Sequence, residues 1–540
     1  MSDRHVPVLV VGGSLVGLST SALPAVHGVP HLLVERHRGT AVHPRAASFH
    51  QRTMEIFRNA GLQESVEAAA EKEFVQNGAI VSVESLASEE VTYFFRSFNE
   101  GVEKLSPTSR LFITQIGLEP LLRDRALALG GAEHRYGTEL VGFEQDEDGV
   151  TSVIHSRDGG EPETVRSDYL VAADGAHSQV RDQLGIGMNG RGDFADCVTI
   201  YFKADMRNLI RERPLSVVYI SQPDLLGFFR FSITGNSGFL AVFSTTNPDG
   251  TRNTHVGKDM DPGRFADLVR KALGAPDLPV TVDNVQRWTA GAAHAARFQD
   301  GRVFLAGDAA HVMPPTGGFG GNTGVADAHD LAWKLAMVTE GTAGPGLLES
   351  YDAERRPVSD LIVEQAYTRY VLRVDPSLSR ENLAPPMDDA SIELGTVYRS
   401  AAIVPAPGDE SGADVENPRT PSGRPGVRAP HLVLESDGVQ LSVHDVFGRG
   451  FVLLTGAEGQ QWRQAAADVG TALGVSLDAH SVGAEESLVD RGDAFRSSFG
   501  IDAGGVVVVR PDGVVAWRSA TAVDDHRAEL DRVLRQLLFR

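Results

Sequence analysis

A mixed α/β and α+β fold in three parts is expected from this chain: a Rossmann-like nucleotide-binding domain, an antiparallel sheet inserted into it, and a smaller α/β domain behind a proline-rich connector. Three features carry that expectation. The chain opens on a strand, a glycine turn and a helix ("VLVVGGSLVG", residues 8–17). Alternating apolar segments then recur between helical stretches, and nine of the 27 prolines crowd between Pro376 and Pro430. At 540 residues the chain is too long for a single core.

The opening run from Val6 to Val34 contains no Asp, Glu, Lys or Arg, so by hydropathy alone it resembles a signal peptide or a spanning helix. Pro7, Gly12, Gly13, Gly17, Pro24, Gly28 and Pro30 instead cut it into a strand (8–11), a turn, a helix and a second strand (31–34). Such a turn gathers the free N–H groups and positive dipole end of the helix where a pyrophosphate can rest. Glu35, 18 residues past Gly17, closes the second strand and can accept from an adenosine ribose. The G-x-G-x-x-G pattern is incomplete because its middle glycine is Ser14. Alone, the motif suits a dinucleotide site and an ordinary βαβ turn equally.

The segments "GAIVSVESL", "CVTIYFKAD", "LSVVYIS" and "FLAVFST" alternate as an antiparallel sheet requires. They place the sheet domain at 73–110 and 195–290, inserted into a nucleotide-binding domain formed by 1–72, 111–194 and 291–375. In "YLVAADGAHSQVRDQLGI" a strand ends at Asp174-Gly175 and a helix starts near Ser178. Asp174 there can hold a ribose or ribityl hydroxyl at the sheet edge, or simply cap the helix.

A more specific signal is "GRVFLAGDAAHVMPPTGGFGGNTGVADAHDLAWKLAMV", residues 301–338. A buried strand delivers Gly307-Asp308, Pro314 and Pro315 stiffen the backbone, and the glycines at 317, 318, 320 and 321 let it approach a flat ligand. A helix is expected after Asn322, with Val325, Ala328, Leu331, Leu335 and Val338 as one apolar stripe. Its N-terminus would stabilise negative charge on a ring system such as a reduced flavin. His311 in the same run reads as structural.

The connector spans 376–429. Beyond it, "HLVLES", "FVLLTG" and a hairpin about Pro511-Asp512-Gly513 precede a helix with Leu530, Val533, Leu534, Leu537 and Leu538 at helical spacing, giving an α/β domain at 430–540. Seventy-two acidic against 50 basic residues leave a net charge of −22, which repels nucleic acid and anionic membrane. The single cysteine, Cys197, excludes intramolecular disulfides and a C-x-x-C redox pair. No metal site is expected, and a cytoplasmic protein is.

"VGGSLVG" with Glu35-Arg36, "HPRAASFHQRTMEIFRNAGL", "DG" before Arg181, "GDAAHVMPPTGGFGGN" and "ESYDAERRPV" resemble, in order and spacing, the class A flavoprotein aromatic hydroxylases of the p-hydroxybenzoate hydroxylase type, over about residues 6 to 370. The block "VENPRTPSGRPGVRAPHLVL" is similar to that of the aromatic polyketide and anthracyclinone hydroxylases, which serve antibiotic biosynthesis and carry a thioredoxin-like C-terminal domain lacking C-x-x-C. The resemblance implies that Gly12, Gly13, Val16 and Gly17 cradle the FAD pyrophosphate, with Glu35 and Arg36 on the adenosine side. Arg45 would face the flavin or the pyridine nucleotide, Gln115 the ribityl chain, Asp308 a ribityl hydroxyl and Asp174 the pyrophosphate. The backbone from Pro315 through Gly318, Gly320 and Gly321 to Asn322 would line the isoalloxazine.

The implied reaction is reduction of FAD by transiently bound NADPH or NADH, then attack by O2 to give a flavin C4a-hydroperoxide that hydroxylates a phenolic polycycle. An electron-rich phenolate needs a group to stabilise its oxyanion or take its proton, and Tyr219 in "VVYIS" and Arg373 in "AYTRYVLRV" are the candidates. Each also has an ordinary reading, as a core aromatic and a solvated cation. Simple-phenol hydroxylation and Baeyer-Villiger oxygenation on the same fold remain open, as does a non-catalytic flavin- or drug-binding protein. Halogenation is disfavoured because no W-x-W-x-I-P segment is present. Without a redox pair the third domain reads as a packing or homo-oligomerisation surface.

Overall fold

The computed structural model describes residues 4–42, 47–247, 249–256, 262–405 and 412–540, so Arg45 lies outside the described residues. Three sheets organise the chain. In the first, Arg4–Val11 runs parallel between His31–Glu35 and Glu163–Ala172, with Ala132–Tyr136 and Val303–Leu305 outside them. Val8, Leu9, Val10, Leu32, Leu33, Leu170 and Val171 are fully buried, which explains why these strands read as continuous apolar runs. An antiparallel hairpin, Thr138–Gln145 with Val150–Ser156, extends the Glu163–Ala172 side.

The second sheet has nine strands, built around the long pair Met188–Lys203 and Thr281–Ala295. Both strands cross the domain limits expected at 194/195 and 290/291, so the sheet is continuous with the nucleotide-binding domain rather than hung from it. One pairing also departs from the antiparallel expectation, since Ala79–Val83 runs parallel to Leu215–Gln222. The chain passes through the first sheet between these strands, and no hairpin turn fixes their direction. Val218, Ile220, Phe229, Leu240 and Val242 pack with helix Phe265–Leu273 on one face. The strand period of two turns Tyr219, Phe228, Arg230 and Phe243 to the other.

The third sheet contains Phe451–Thr455 parallel to Leu477–Gly483 across helix Gln460–Leu473, followed by the hairpin Val506–Val509/Val515–Ser519 and helix His526–Leu537. This βαβ–ββα order is thioredoxin-like. The connector includes the short helix Asp389–Leu394, and the long helix Glu349–Arg373 holds its approach: Gln365 donates to Pro385 O, Thr368 to Ala384 O and Arg369 to Met387 O at 2.7–3.0 Å.

The third domain shares its core with the first. Trp333, Met337 and Leu347 pack with Phe451, Leu453, Trp462, Leu534 and Leu538. Helix Phe319–Thr339 is therefore buried nearly all round, not along one stripe, and charged Asp327, Asp330 and Lys334 are inside as well. His329 on this helix faces the charges of Arg52, Asp512 and Arg510, and burial holds its pKa down to about 3. The unfolded chain takes up that proton near pH 6.5, so the folded state is favoured above that pH and loses stability as pH falls toward 3. Acidifying from pH 7 to 5 should remove about 2 kcal/mol through this group. Denaturant titrations at the two pH values should show a smaller difference in His329→Gln. No described helix is long and apolar enough to cross a membrane.

Candidate active site

The parallel strand order carries the carboxyl ends of Val303–Leu305, Glu163–Ala172, Arg4–Val11 and His31–Glu35 to one edge. Asp308, Asp174, Gly12-Gly13 and Glu35 therefore follow one another along it. Adjacent strands lie about 4.8 Å apart, so the row extends about 14 Å, a span suited to an extended dinucleotide.

At the centre, Gly12 adopts a φ of +105°, and a Cβ there would meet Ala173 O at 2.3 Å. A Cβ on Gly17 would lie 1.9 Å from Gly12 O, and one on Gly13 would lie 2.7 Å from the Glu35 Cβ. The turn thus has room for backbone alone, and helix Leu15–Val26 starts on it. Ser14 breaks the glycine pattern without strain because its φ is −93°. Its hydroxyl donates to Glu119 Oε1 (2.8 Å) and accepts from Gln115 Nε2 (3.1 Å), so Gln115 sits at this turn. Glu119 also accepts from Ala41 N (2.6 Å), and burial raises its pKa.

Glu35 accepts from Gly13 N (2.6 Å) and His37 N (2.7 Å), which fixes the turn against the second strand. Arg36 is exposed beside it. Tyr136, paired with Glu35 in register, buries a hydroxyl without a partner among the described residues. Asp174 Oδ2 accepts from Val180 N (3.2 Å), whereas Oδ1 is buried and has no partner among them. Burial raises the Asp174 pKa, and an incoming hydroxyl donor would satisfy the orphaned oxygen. Asp308 is exposed at the far end of the row.

The Val16 side chain packs where a Cβ on Gly307 or Gly324 would lie, at 2.7 and 2.4 Å. This locks the opening motif to the glycine loop of residues 307–324. The helix after that loop starts at Phe319, three residues before Asn322, because Gly318 (φ +69°) turns the chain into it. Gly320 and Gly321 accordingly stand in the first turn, where backbone donors have no partner within the helix, and Pro315 is exposed just ahead. Asn322 accepts from His50 N (2.9 Å) and Thr53 Oγ1 (2.6 Å) and donates to Ser48 O (3.0 Å) and Gly318 O (2.7 Å). Its side chain clamps residues 48–53 against the loop. His311 is buried and bonds Asp327 at 2.7 Å, and Asp327 pairs with Arg355 at 2.8 Å, so it supports the loop from beneath.

The other face of the second sheet, packed against the long helix Glu349–Arg373, carries the other candidates. Phe94, Tyr219, Phe228, Phe243 and Trp288 form a series in which successive ring centroids are 5.7 to 6.2 Å apart. Tyr370 on the long helix closes on Phe243 at 5.6 Å. Arg373, from the end of that helix, lies 6.0 Å over Phe94. Burial raises the Tyr219 pKa, while the charges of Arg373 and Arg230 draw it back. Tyr219 and Arg373, 154 positions apart in the chain, thus meet at the Phe94 ring.

Sequence reading missed Arg230, hidden in "FFRF" as one polar residue in an apolar strand, although its even spacing from Phe228 signals the Tyr219 face. It also missed Tyr136, whose place depends on strand register, and Glu119, which reaches from helix Gln115–Leu129 to Ser14 and Ala41 N.

Comparison with known proteins places the chain in one lineage. Residues 5–366 match the family described as FAD binding domain, and residues 422–539 match aromatic-ring hydroxylase, C-terminal. The chain is 47% identical to a 4-methyl-5-nitrocatechol 5-monooxygenase of Burkholderia sp., covering 100% of this chain and 98% of the relative. It is 39% identical to the aklavinone 12-hydroxylase RdmE of Streptomyces purpurascens, with 100% of each covered. The solved ternary complex of aklavinone-11 hydroxylase with FAD and aklavinone superposes with a TM-score of 0.92 at 39% identity, covering 100% of both chains. With a glycine turn, an acid-tipped sheet edge and an aromatic series in one fold, the chain belongs to the FAD-dependent aromatic-ring hydroxylases and is an FAD-dependent aromatic monooxygenase.

Proposed function

We propose that the chain hydroxylates a phenolic polycycle of the aromatic polyketide kind, using NADPH or NADH and O2. The aromatic series from Phe94 to Trp288 carries this reading, since flat fused rings stack along such a wall. The relative that hydroxylates aklavinone and the solved complex containing it support the same substrate class.

Gly12, Gly13 and Gly17 would hold the FAD pyrophosphate by backbone contact, with Val16 fixing the loop. Glu35 and Arg36 would serve the adenosine, Gln115 and Asp174 the central portion, and Asp308 a ribityl hydroxyl. Residues 315–322 would lie along the ring system, which the first-turn donors of the helix at Phe319 polarise. Bound FAD supplies electron transfer from the pyridine nucleotide and activation of dioxygen.

The protein's own contribution is to orient and activate the substrate. The Tyr219 hydroxyl, kept protonated by burial, donates a hydrogen bond to the substrate oxygen, and the Arg373 charge favours its ionised form. The aromatic wall excludes water from the same space. Arg373→Ala and Tyr219→Phe are each expected to lower kcat by about tenfold to a hundredfold while FAD stays bound. Unchanged substrate-stimulated NADPH oxidation in both variants contradicts their assignment.

A second reading follows from the 47% identity to the nitrocatechol monooxygenase: a small acidic catechol occupying the Tyr219 end of the aromatic series alone. Holoenzyme given NADPH with alizarin or with 4-nitrocatechol separates the two. Coupled turnover with product mass increased by one oxygen for alizarin only supports the polycycle, and coupled turnover of 4-nitrocatechol only, with nitrite released as oxygen displaces the nitro group, supports the small catechol.

A further inference from the structure

Arg230 is the one guanidinium of the Tyr219 face that neither the fold nor the proposed reaction yet explains. It is 4% exposed. Buried arginines are normally matched by a carboxylate, as Arg355 is by Asp327 and Arg510 by Glu354. Among the described residues no acid forms an ion pair with Arg230. Glu73, whose charge acts on it, is instead engaged by Thr114 N (2.8 Å) and Thr114 Oγ1 (3.2 Å). Arg230 Nη1 donates to Ala47 O. Its Nε is buried without an acceptor among the described residues.

The guanidinium is stacked 3.9 Å over the Phe112 ring and 5.2 Å from that of Phe74, so its plane is held in place. It shares a sheet face with Tyr219, the two strands being adjacent. Ala47 immediately precedes the segment that Asn322 clamps to the glycine loop. Arg230 therefore stands between the ring-binding loop and the substrate wall. Burial lowers its pKa to about 9, with Tyr219 and then Glu73 acting in the opposite direction, so it remains a cation at neutral pH. Leaving such a charge desolvated and without a counterion is costly unless something negative arrives to meet it.

We propose that Arg230 is the anion receptor of the substrate site, its guanidinium holding the ionised oxygen of a phenolic or catecholic substrate beside Tyr219. The inference rests on the Tyr219 face being the substrate site, and it adds to the Arg373 charge a buried, direct contact for the ionised oxygen. The charged and titratable groups bearing on this locus are Tyr219 on the neighbouring strand, Glu73 at the end of helix Gln63–Glu73, Arg373 on the long helix and Asp389 on the connector helix. Asp389 is paired with Arg369 and Glu73 is held by Thr114, so neither acid forms an ion pair with the two cations, Arg230 and Arg373, which are left to meet one added negative charge.

The test is binding, not turnover. FAD holoenzyme is titrated with 4-nitrocatechol and with alizarin, whose absorption bands report their own ionisation, across a range of pH. Wild-type protein is expected to lower the pKa of at least one bound probe by about one unit, equivalent to about tenfold tighter binding of the ionised form. Arg230→Met should remove most of that shift, the Arg373 charge sustaining the remainder. Arg230→Gln, which keeps a donor for Ala47 O, should lose as much, whereas a residue that merely anchors the loop would be rescued by the amide. A wild-type protein that binds both probes only as neutral phenols overturns the proposal, as does an undiminished shift in flavin-bearing Arg230→Gln. Because the signal comes from the ligand, a chain that binds the anion yet hydroxylates nothing fails the functional reading and leaves the receptor standing.

Discussion

Gly17→Ala protein is expected to retain its fold and lose its flavin, with FAD affinity falling by about a hundredfold. The added methyl carbon would lie 1.9 Å from Gly12 O, far below the 3.0 Å that real Cβ contacts respect. Neither partner is a side chain that can swing aside. Helix Leu15–Val26 would have to withdraw from the turn or Gly12 would have to move, and Gly12 is confined by Ala173 behind it. Overpacking of this kind costs about 1–3 kcal/mol in a core. Here the movement also displaces the N–H groups proposed to hold the pyrophosphate, and about 2.8 kcal/mol corresponds to the hundredfold loss. Equilibrium dialysis of FAD, with circular dichroism as a check on folding, measures it. Wild-type affinity in Gly17→Ala would show that the phosphates rest elsewhere.

The second large effect concerns stability. Arg510 is fully buried and donates to Glu354 through Nη1 (2.6 Å) and Nη2 (2.9 Å), while its Nε and Nη2 reach Asp512. Lys334 bonds Asp330 (2.7 Å) and Glu354 (2.9 Å) in the same cluster. Three acids thus meet two bases, and burial with this excess of negative charge raises the Asp330 pKa, to about 7. Glu354 stays ionised because both Arg510 and Lys334 hold its pKa down against burial. Arg510→Met leaves Glu354 and Asp512 in the interior with one cation between three acids. Removal of one partner from a buried pair costs about 3–5 kcal/mol, a large share of a typical domain's stability. Denaturant unfolding should show that loss, accompanied by earlier flavin release on heating. A change below about 1 kcal/mol would mean that the cluster is solvated and that the third domain is not fastened through it.

The contrast between these two sites explains what could be read from the chain. The glycine turn was legible because its constraints are local: Gly12 and Gly17 are five residues apart, and Glu35 closes the next strand. The glycine loop was legible for the same reason, although the start of its helix was placed at Asn322 and not Phe319. Glycines at 320 and 321 argued for irregular backbone, while the buried clamp made by Asn322 favours a helical turn. Arg510 and Glu354 are 156 positions apart, and nothing at either position announces the other. Arg230 was silent because an arginine in a sheet is ordinarily solvated. Only the register with Tyr219 and the ring beneath it reveals a cation facing inward. Similarly, the parallel pairing of Ala79–Val83 follows from a return path of over a hundred residues, which periodicity does not encode. Local conformation and tight glycine turns were thus readable, whereas charge compensation and the aromatic series emerged from long-range contacts.

Oxygen transfer itself is tested most directly by isotope. Protein reconstituted with FAD is supplied with NADPH or NADH, a phenolic aromatic and 18O2, and the product is weighed by mass spectrometry. One labelled oxygen atom in the aromatic product, with no incorporation when the label is in water, is the predicted result. Reduced nucleotide consumed with every label recovered in hydrogen peroxide, across both polycyclic and simple phenols, would contradict it.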